Sequence, residues 1–152
     1  MWIDLETEQA TETFATKFAA CLTAPLVITF SGDIGAGKTT FIRALLRRLG
    51  IQSAIKSPTF SLVESYQTEL AYVHHFDLYR IQDQAELDYI GFRDYFDEQA
   101  VCCIEWPERL GQYLQWADVS ITMRVKGAGR EMQLLSASEA GTVFLDKLSG
   151  KK

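Results

Sequence analysis

Residues 26–49 constrain this chain more than any other stretch. LVITFS, residues 26–31, is a short apolar run of the kind that sheets bury as a strand. It leads directly into Gly32-Asp33-Ile34-Gly35-Ala36-Gly37-Lys38-Thr39, which fits G-x-x-x-x-G-K-[ST] without a mismatch. Residues 38–49 then carry Phe41, Leu45, Leu46 and Leu49 on one side and Arg43, Arg47 and Arg48 on the other, an amphipathic helix that Gly50 stops. A strand that hands a glycine-rich loop to a helix is a phosphate cradle. The glycines let the backbone turn tightly and aim several N–H groups at one anion, and the helix adds the positive end of its dipole. The residues expected at the phosphates are Asp33, Ile34, Gly35, Ala36, Gly37, Lys38, Thr39 and Thr40. In this pattern Lys38 reaches the β- and γ-phosphates and the Thr39 hydroxyl ligates Mg²⁺.

Such a loop needs a carboxylate near Mg²⁺ at the end of a neighbouring strand. Glu105 ends the apolar run Ala100-Val101-Cys102-Cys103-Ile104 and would emerge at a strand's carboxyl end, where open α/β sheets bind ligands. It is either a metal-side carboxylate or an acid that opens a loop. Asp77, in His74-His75-Phe76-Asp77-Leu78-Tyr79-Arg80, either orients a water or pairs with Arg80. His74 and His75 point to opposite faces of a strand, so at least one is a packing or surface residue. Ser57-Pro58-Thr59-Phe60 is either a switch segment, whose Thr59 hydroxyl senses γ-phosphate and Mg²⁺, or a plain turn into a strand.

The rest of the pattern is α/β. Residues 7–22 and 138–148 read as helices, and 83–98 as two short helical pieces broken near Gly91. Residues 60–66 and 71–77 form a hairpin, and 118–126 and 130–136 are strands joined across Gly127-Ala128-Gly129. The expected fold is a P-loop NTPase-type central mixed sheet flanked by helices, with an antiparallel hairpin portion. The 152 residues suit a single ATPase domain over 1–152.

Composition narrows the function. A net charge of −5 and the lack of a basic arm disfavour unaided binding to a nucleic-acid backbone. Cys21, Cys102 and Cys103 are odd in number and contain no CxxC, as in a reduced, cytoplasmic protein. Acidic residues stand where a signal peptide carries basic ones, and no apolar run is long enough to span a membrane. The chain contains no Asn, so it lacks the guanine-reading Asn-Lys-x-Asp of Ras-like GTPases, and ATP is favoured over GTP. Asp88-Tyr89-Ile90-Gly91 matches their Asp-x-x-Gly pattern by chance, in a helical region. A small-molecule kinase would need an arginine-bearing lid, for which Arg80, Arg93, Arg109 and Arg130 are available in limited chain length. A nucleotide-dependent scaffold that does not hydrolyse is a third reading.

GDIGAGKTT, SPTFSLVESY, HFDLYR, ELDYIGFRDYF and IEW, in that order and spacing, resemble the TsaE family, also called YjeE, from about Glu8 to Arg130. The resemblance implies an ATPase, weak alone and stimulated by TsaD-type and TsaB-type partners. Its task would be N6-threonylcarbamoyladenosine modification of tRNA, with the tRNA contacted through the complex. It implies roles for Lys38 at the phosphates, Thr39 and Glu105 at Mg²⁺, Asp77 as a catalytic or metal-linked carboxylate, and Thr59 in a switch loop. It also places Glu8 and Gly129 or Arg130 near the nucleotide, and Trp106 either offers an exposed ring to a partner or simply packs.

Overall fold

The computed structural model describes residues 1–151. Its centre is a seven-stranded mixed sheet in the order β1-β7-β6-β2-β5-β4-β3. The strands are β1 Trp2–Leu5, β2 Leu26–Ser31, β3 Val63–Gln67, β4 Tyr72–Asp77, β5 Ala100–Glu105, β6 Val119–Lys126 and β7 Gly129–Ser136. The helices are α1 Glu8–Cys21, α2 Lys38–Arg48, α3 Gln84–Tyr89 and α4 Glu139–Leu148. Strands β6, β2, β5 and β4 run parallel, so their carboxyl ends share one edge of the sheet. That edge carries the site.

The parallel strands are apolar on both faces because helices or turns cover both. On one side Ile28, Phe30, Val101 and Cys103 meet Phe14 and Phe18 of α1 and Phe41, Ile42 and Leu45 of α2. On the other, Phe76, Cys102 and Ile104 meet Leu87, Phe92, Leu110 and Tyr113. Cys102 and Cys103 therefore serve as small core residues on opposite faces, and Cys21 is free as well. No described helix is long and apolar enough to cross a membrane.

Several expected boundaries hold for identifiable reasons. Thr7 caps α1 by accepting from the Ala10 N–H at 3.0 Å, and Ser138 caps α4 by accepting from the Gly141 N–H at 3.0 Å. The 83–98 segment does split, into α3 and a 3-10 turn at Phe92–Tyr95 on either side of Gly91.

The expected strand at 60–66 is corrected to Val63–Gln67. The Leu62 N–H donates to the Pro58 carbonyl at 2.8 Å, closing a turn, and Leu62 itself lies at φ 69°. The late hairpin turns on Gly127 and Ala128 alone, since Gly129 already pairs with Lys126. Two features lie outside the sequence expectation. One is β1, four residues long and antiparallel to β7, and the other is the pair of 3-10 turns Pro107–Arg109 and Gly111–Trp116. Strand β1 matters for the site because it pairs Leu5 with Arg130 and so delivers the start of α1 to the start of β7.

Candidate functional site

The loop 32–37 takes the shape its glycines permit. Gly32, Gly35 and Gly37 all have positive φ, and the Ala36 N–H donates to the Asp33 carbonyl at 3.0 Å. At Gly32 a Cβ would stand 2.4 Å from the Met123 carbonyl of β6, so no other residue fits without moving backbone. Lys38 is buried, and its ammonium group donates to the Gly32 carbonyl. The same ammonium group lies 3.7 Å from the centroid of the Trp106 ring. Burial lowers the Lys38 pKa, opposed by the charges of Glu105, Glu108, Asp77 and Asp33. An anionic ligand in the cavity would favour the charged form.

Beside the loop lies an open cavity of about 520 Å³, lined by Lys38, Thr39, Thr40, Thr59, Asp77 and Glu105, with Ile34, Gly35, Gly37, Tyr79, Trp106 and Arg130 around them. The parallel register explains why residues so distant in sequence meet there. Glu105 pairs with Phe30 on one side and Asp77 on the other, so both acids leave the sheet at its carboxyl edge. The Thr39 hydroxyl donates to the Glu105 carboxylate, at 3.0 Å from Oε1 and 2.9 Å from Oε2. The Thr59 hydroxyl donates to Asp77 Oδ2 at 3.3 Å and lies 2.9 Å from the Ser57 hydroxyl. Asp77 Oδ1 accepts the Tyr79 N–H at 3.0 Å. Arg80 is turned elsewhere, its guanidinium stacked 4.4 Å from the exposed Phe60 ring.

A smaller cavity of about 200 Å³ adjoins the first and shares Gly37, Thr40 and Arg130 with it. Glu8 and Gly129 line this second space. Gly129 is there because β1 presses on it: a Cβ would meet the Leu5 carbonyl at 2.6 Å. Arg130 stands between the cavities, with Nη1 donating to the Gly129 carbonyl at 2.9 Å and Nε buried without a partner among the described residues. Asp33 and Ala36 line neither cavity; they shape the loop. Of Arg80, Arg93, Arg109 and Arg130, only the last faces the main cavity.

The oxygen donors suit a hard cation. Thr39 and Glu105 converge and Asp77 is adjacent, while no cluster of three or more His, Cys, Asp or Glu among the described residues could enclose a metal. A site with few protein ligands that leaves the remaining positions to water and phosphate is the habit of Mg²⁺ in nucleotide proteins.

Of the two readings of Trp106, the structure takes the packing one: the residue is half-buried. It sits at φ 63°, lies over Lys38 and packs 5.0 Å from Tyr79. His75 was not expected at the site, yet its Nε2 is 2.6 Å from Glu105 Oε2. The strand alternation alone pointed to it, since His75 and Asp77 share a face. His74, on the opposite face, contacts the Ser65 hydroxyl at 2.8 Å and packs against Tyr95, the packing role expected of one of the pair.

Comparison with known proteins identifies the family and the fold. The family model described as "Threonylcarbamoyl adenosine biosynthesis protein TsaE" matches residues 5–132. The tRNA threonylcarbamoyladenosine biosynthesis protein TsaE of Haemophilus influenzae is 36% identical over 141 residues, covering 90% of this chain and 89% of that protein. The protein of the same name from Aquifex aeolicus is 39% identical over 107 residues, covering 69% and 75%. The crystal structure of YdiB from Bacillus subtilis superposes with a TM-score of 0.82 at 25% identity, over 99% of this chain and 94% of that one. With the family model spanning the strand–loop–helix unit, both carboxylates and the start of β7, this chain belongs to the TsaE family.

Proposed function

We propose that this chain binds ATP with Mg²⁺ in the main cavity and hydrolyses it in support of N6-threonylcarbamoyladenosine modification of tRNA. The chain acts as one ATPase domain in the cytoplasm. It is a weak enzyme alone and is stimulated by TsaD-type and TsaB-type partners, which hold the tRNA. The observation that carries this reading is the convergence of Lys38, Thr39, Thr59, Asp77 and Glu105 on one cavity at the carboxyl ends of β2, β4 and β5. The names of the relatives supply the pathway.

Each residue has a physical task. The loop N–H groups and the start of α2 bind phosphate oxygens, and Lys38 offsets charge at the β- and γ-phosphates. Thr39 and Glu105 hold the metal side, Glu105 directly or through water. Mg²⁺, when bound, supplies neutralisation of the charge that develops on the phosphates. Asp77 accepts from Thr59 and Tyr79, which fixes its carboxylate as an acceptor able to orient an attacking water. Glu8, Gly129, Arg130 and Thr40 frame the smaller cavity, suited to the nucleoside end because it joins the phosphate cavity at Gly37.

Weak activity alone follows from what the cavity lacks. Among the described residues Arg130 is its single arginine, and Phe60, next to the half-buried Thr59, is 82% accessible. A partner that orders residues 59–60 and adds positive charge would complete transition-state stabilisation.

The test is ATP hydrolysis by the chain alone and with the partner proteins and tRNA. Stimulation by the complex, and loss of tRNA modification with Lys38→Ala or Thr39→Ala, are expected. Normal modification with both variants would sink the proposal. Phosphate transfer to a metabolite without partners would favour a kinase, and full activity with a non-hydrolysable ATP analogue would favour a scaffold.

A further inference from the structure

The mechanism above assigns His75 no task, although few polar side chains in the molecule are so deeply placed. Its side chain is 1% exposed and that of Glu105 3%. Pairing of His75 with Cys103 and of Asp77 with Glu105 brings the imidazole diagonally beneath the Glu105 side chain on the face of the sheet that α2 covers. Nε2 stands 2.6 Å from Oε2. The tautomer with its hydrogen on Nε2 donates that hydrogen to the Glu105 carboxylate. Among the described residues the buried Nδ1 has no partner, so the ring's hydrogen bonding is directed at Glu105. Burying an imidazole with one nitrogen unsatisfied carries a cost that an apolar residue of similar size would avoid. Packing alone therefore leaves this side chain unexplained.

Glutamate has three side-chain torsions, and a carboxylate of use at a metal must hold one orientation. From the protein, two groups grip Glu105. The Thr39 hydroxyl touches both oxygens and is itself a metal-side donor, so it is the group that must turn when a cation arrives. The imidazole is the contact that can persist.

We propose that His75 is a positioning residue. Its Nε2–H anchors Glu105 Oε2, so that the carboxylate is already aimed at the Thr39 side of the cavity before metal and nucleotide bind. This inference rests on the Mg·ATP reading of the cavity. Groups that orient a metal-side ligand are commonly worth 10- to 100-fold in metal affinity.

The experiment measures ATP affinity by calorimetry in excess Mg²⁺ and in excess EDTA. The proteins compared are the native chain, His75→Leu and His75→Gln, whose amide N–H₂ reaches about as far as Nε2. The native protein is expected to bind more tightly with Mg²⁺. His75→Leu is expected to lose about tenfold of that gain, with affinity in EDTA held within about twofold. His75→Gln restores most of the gain, and in a Glu105→Gln background His75→Leu adds little further. Should His75→Leu not fold, His75→Asn takes its place, since its shorter amide falls short of the carboxylate and is expected to lose the same gain. A native gain in the donor-less variant, or equal failure of His75→Gln, overturns the inference. A native protein whose affinity ignores Mg²⁺ overturns the Mg·ATP reading itself, a failure visible before any His75 variant is measured.

Discussion

The site has two halves built by different means. The proposed phosphate cradle is contiguous, residues 32–39, and backbone would do most of its work: positive-φ glycines, loop N–H groups and the first turn of α2. The carboxylate edge is assembled from Thr59, Asp77 and Glu105, brought together by parallel pairing of β2, β5 and β4, and side-chain head groups do its work. The difference predicts how each half fails. The cradle is intolerant of added atoms, whereas the edge tolerates isosteric swaps structurally and loses chemistry.

The largest expected effect is on the backbone half. Gly32→Ala forces a Cβ to within 2.4 Å of the Met123 carbonyl, at a φ of +144° that side chains rarely adopt. Stability should fall by about 3 kcal/mol or more, read by urea unfolding. Native-like unfolding would break the comparison, because the loop would then have room that its geometry denies. Lys38→Ala acts in the same half by removing a side chain, with its hydrogen bond to the Gly32 carbonyl, and adds no atom to the loop. ATP affinity should drop about 100-fold with little change in stability, matching the loss of charge-assisted hydrogen bonds of roughly 3 kcal/mol.

The edge should respond in rate. Glu105→Gln keeps the size of the group and removes its charge, so turnover in the assembled system should fall on the order of 100-fold while affinity for ATP in EDTA stays near native. Asp77→Asn should cost less, about tenfold to 100-fold in turnover, since it acts on the water and not on the metal. If either change weakened ATP affinity in EDTA as much as turnover, the edge would be holding the ligand, and the division of labour would be wrong.

The same division explains what the sequence disclosed. The cradle was legible because its physics is local: eight consecutive residues state the loop, the lysine and the hydroxyl. Glu105 and Asp77 were legible one step further on, because each ends an apolar run and strand ends cluster in parallel sheets. Their mutual placement, and the fact that Asp77 turns to Thr59 and not Arg80, depend on register, which no single segment encodes. Strand β1 escaped notice because four alternating residues carry too little pattern, and with it went the reason Glu8 and Arg130 meet. His75 escaped for a related reason. Alternation put it on the face of Asp77, but only the pairing of β4 with β5 shows that it lies under Glu105. Trp106 followed Glu105 in plain view, yet its left-handed backbone, which folds the ring back over Lys38, has no signature in the letters.

Strand β5 contains the sharpest small-scale version of this contrast. Its last residue, Glu105, reaches the cavity edge, while two residues earlier Cys103 is sealed in the core. Burial pushes the Cys103 thiol up from an ordinary 9.0 to about 12, with the Glu105 charge adding to the effect, and burial raises Cys102 further still. A group whose folded pKa is raised contributes stability that is fully present below the unfolded pKa and is lost as pH rises. In the unfolded chain the thiol ionises from about pH 9, while in the folded protein Cys103 holds its proton to about 12. Folding stability should therefore be insensitive to this group at neutral pH and decline between those values, by roughly 1 kcal/mol per thiol at pH 10. The difference in unfolding free energy between the native chain and Cys103→Ala isolates the effect from other alkaline titrations. At neutral pH a thiol reagent should modify Cys21, which is partly exposed, and leave Cys102 and Cys103 untouched until the protein unfolds. A difference that stays flat from pH 7 to 10, or rapid labelling of Cys103 in the native protein, would mean that the strand interior is more open than its packing indicates, and that the boundary between the sealed core and the reactive edge lies elsewhere.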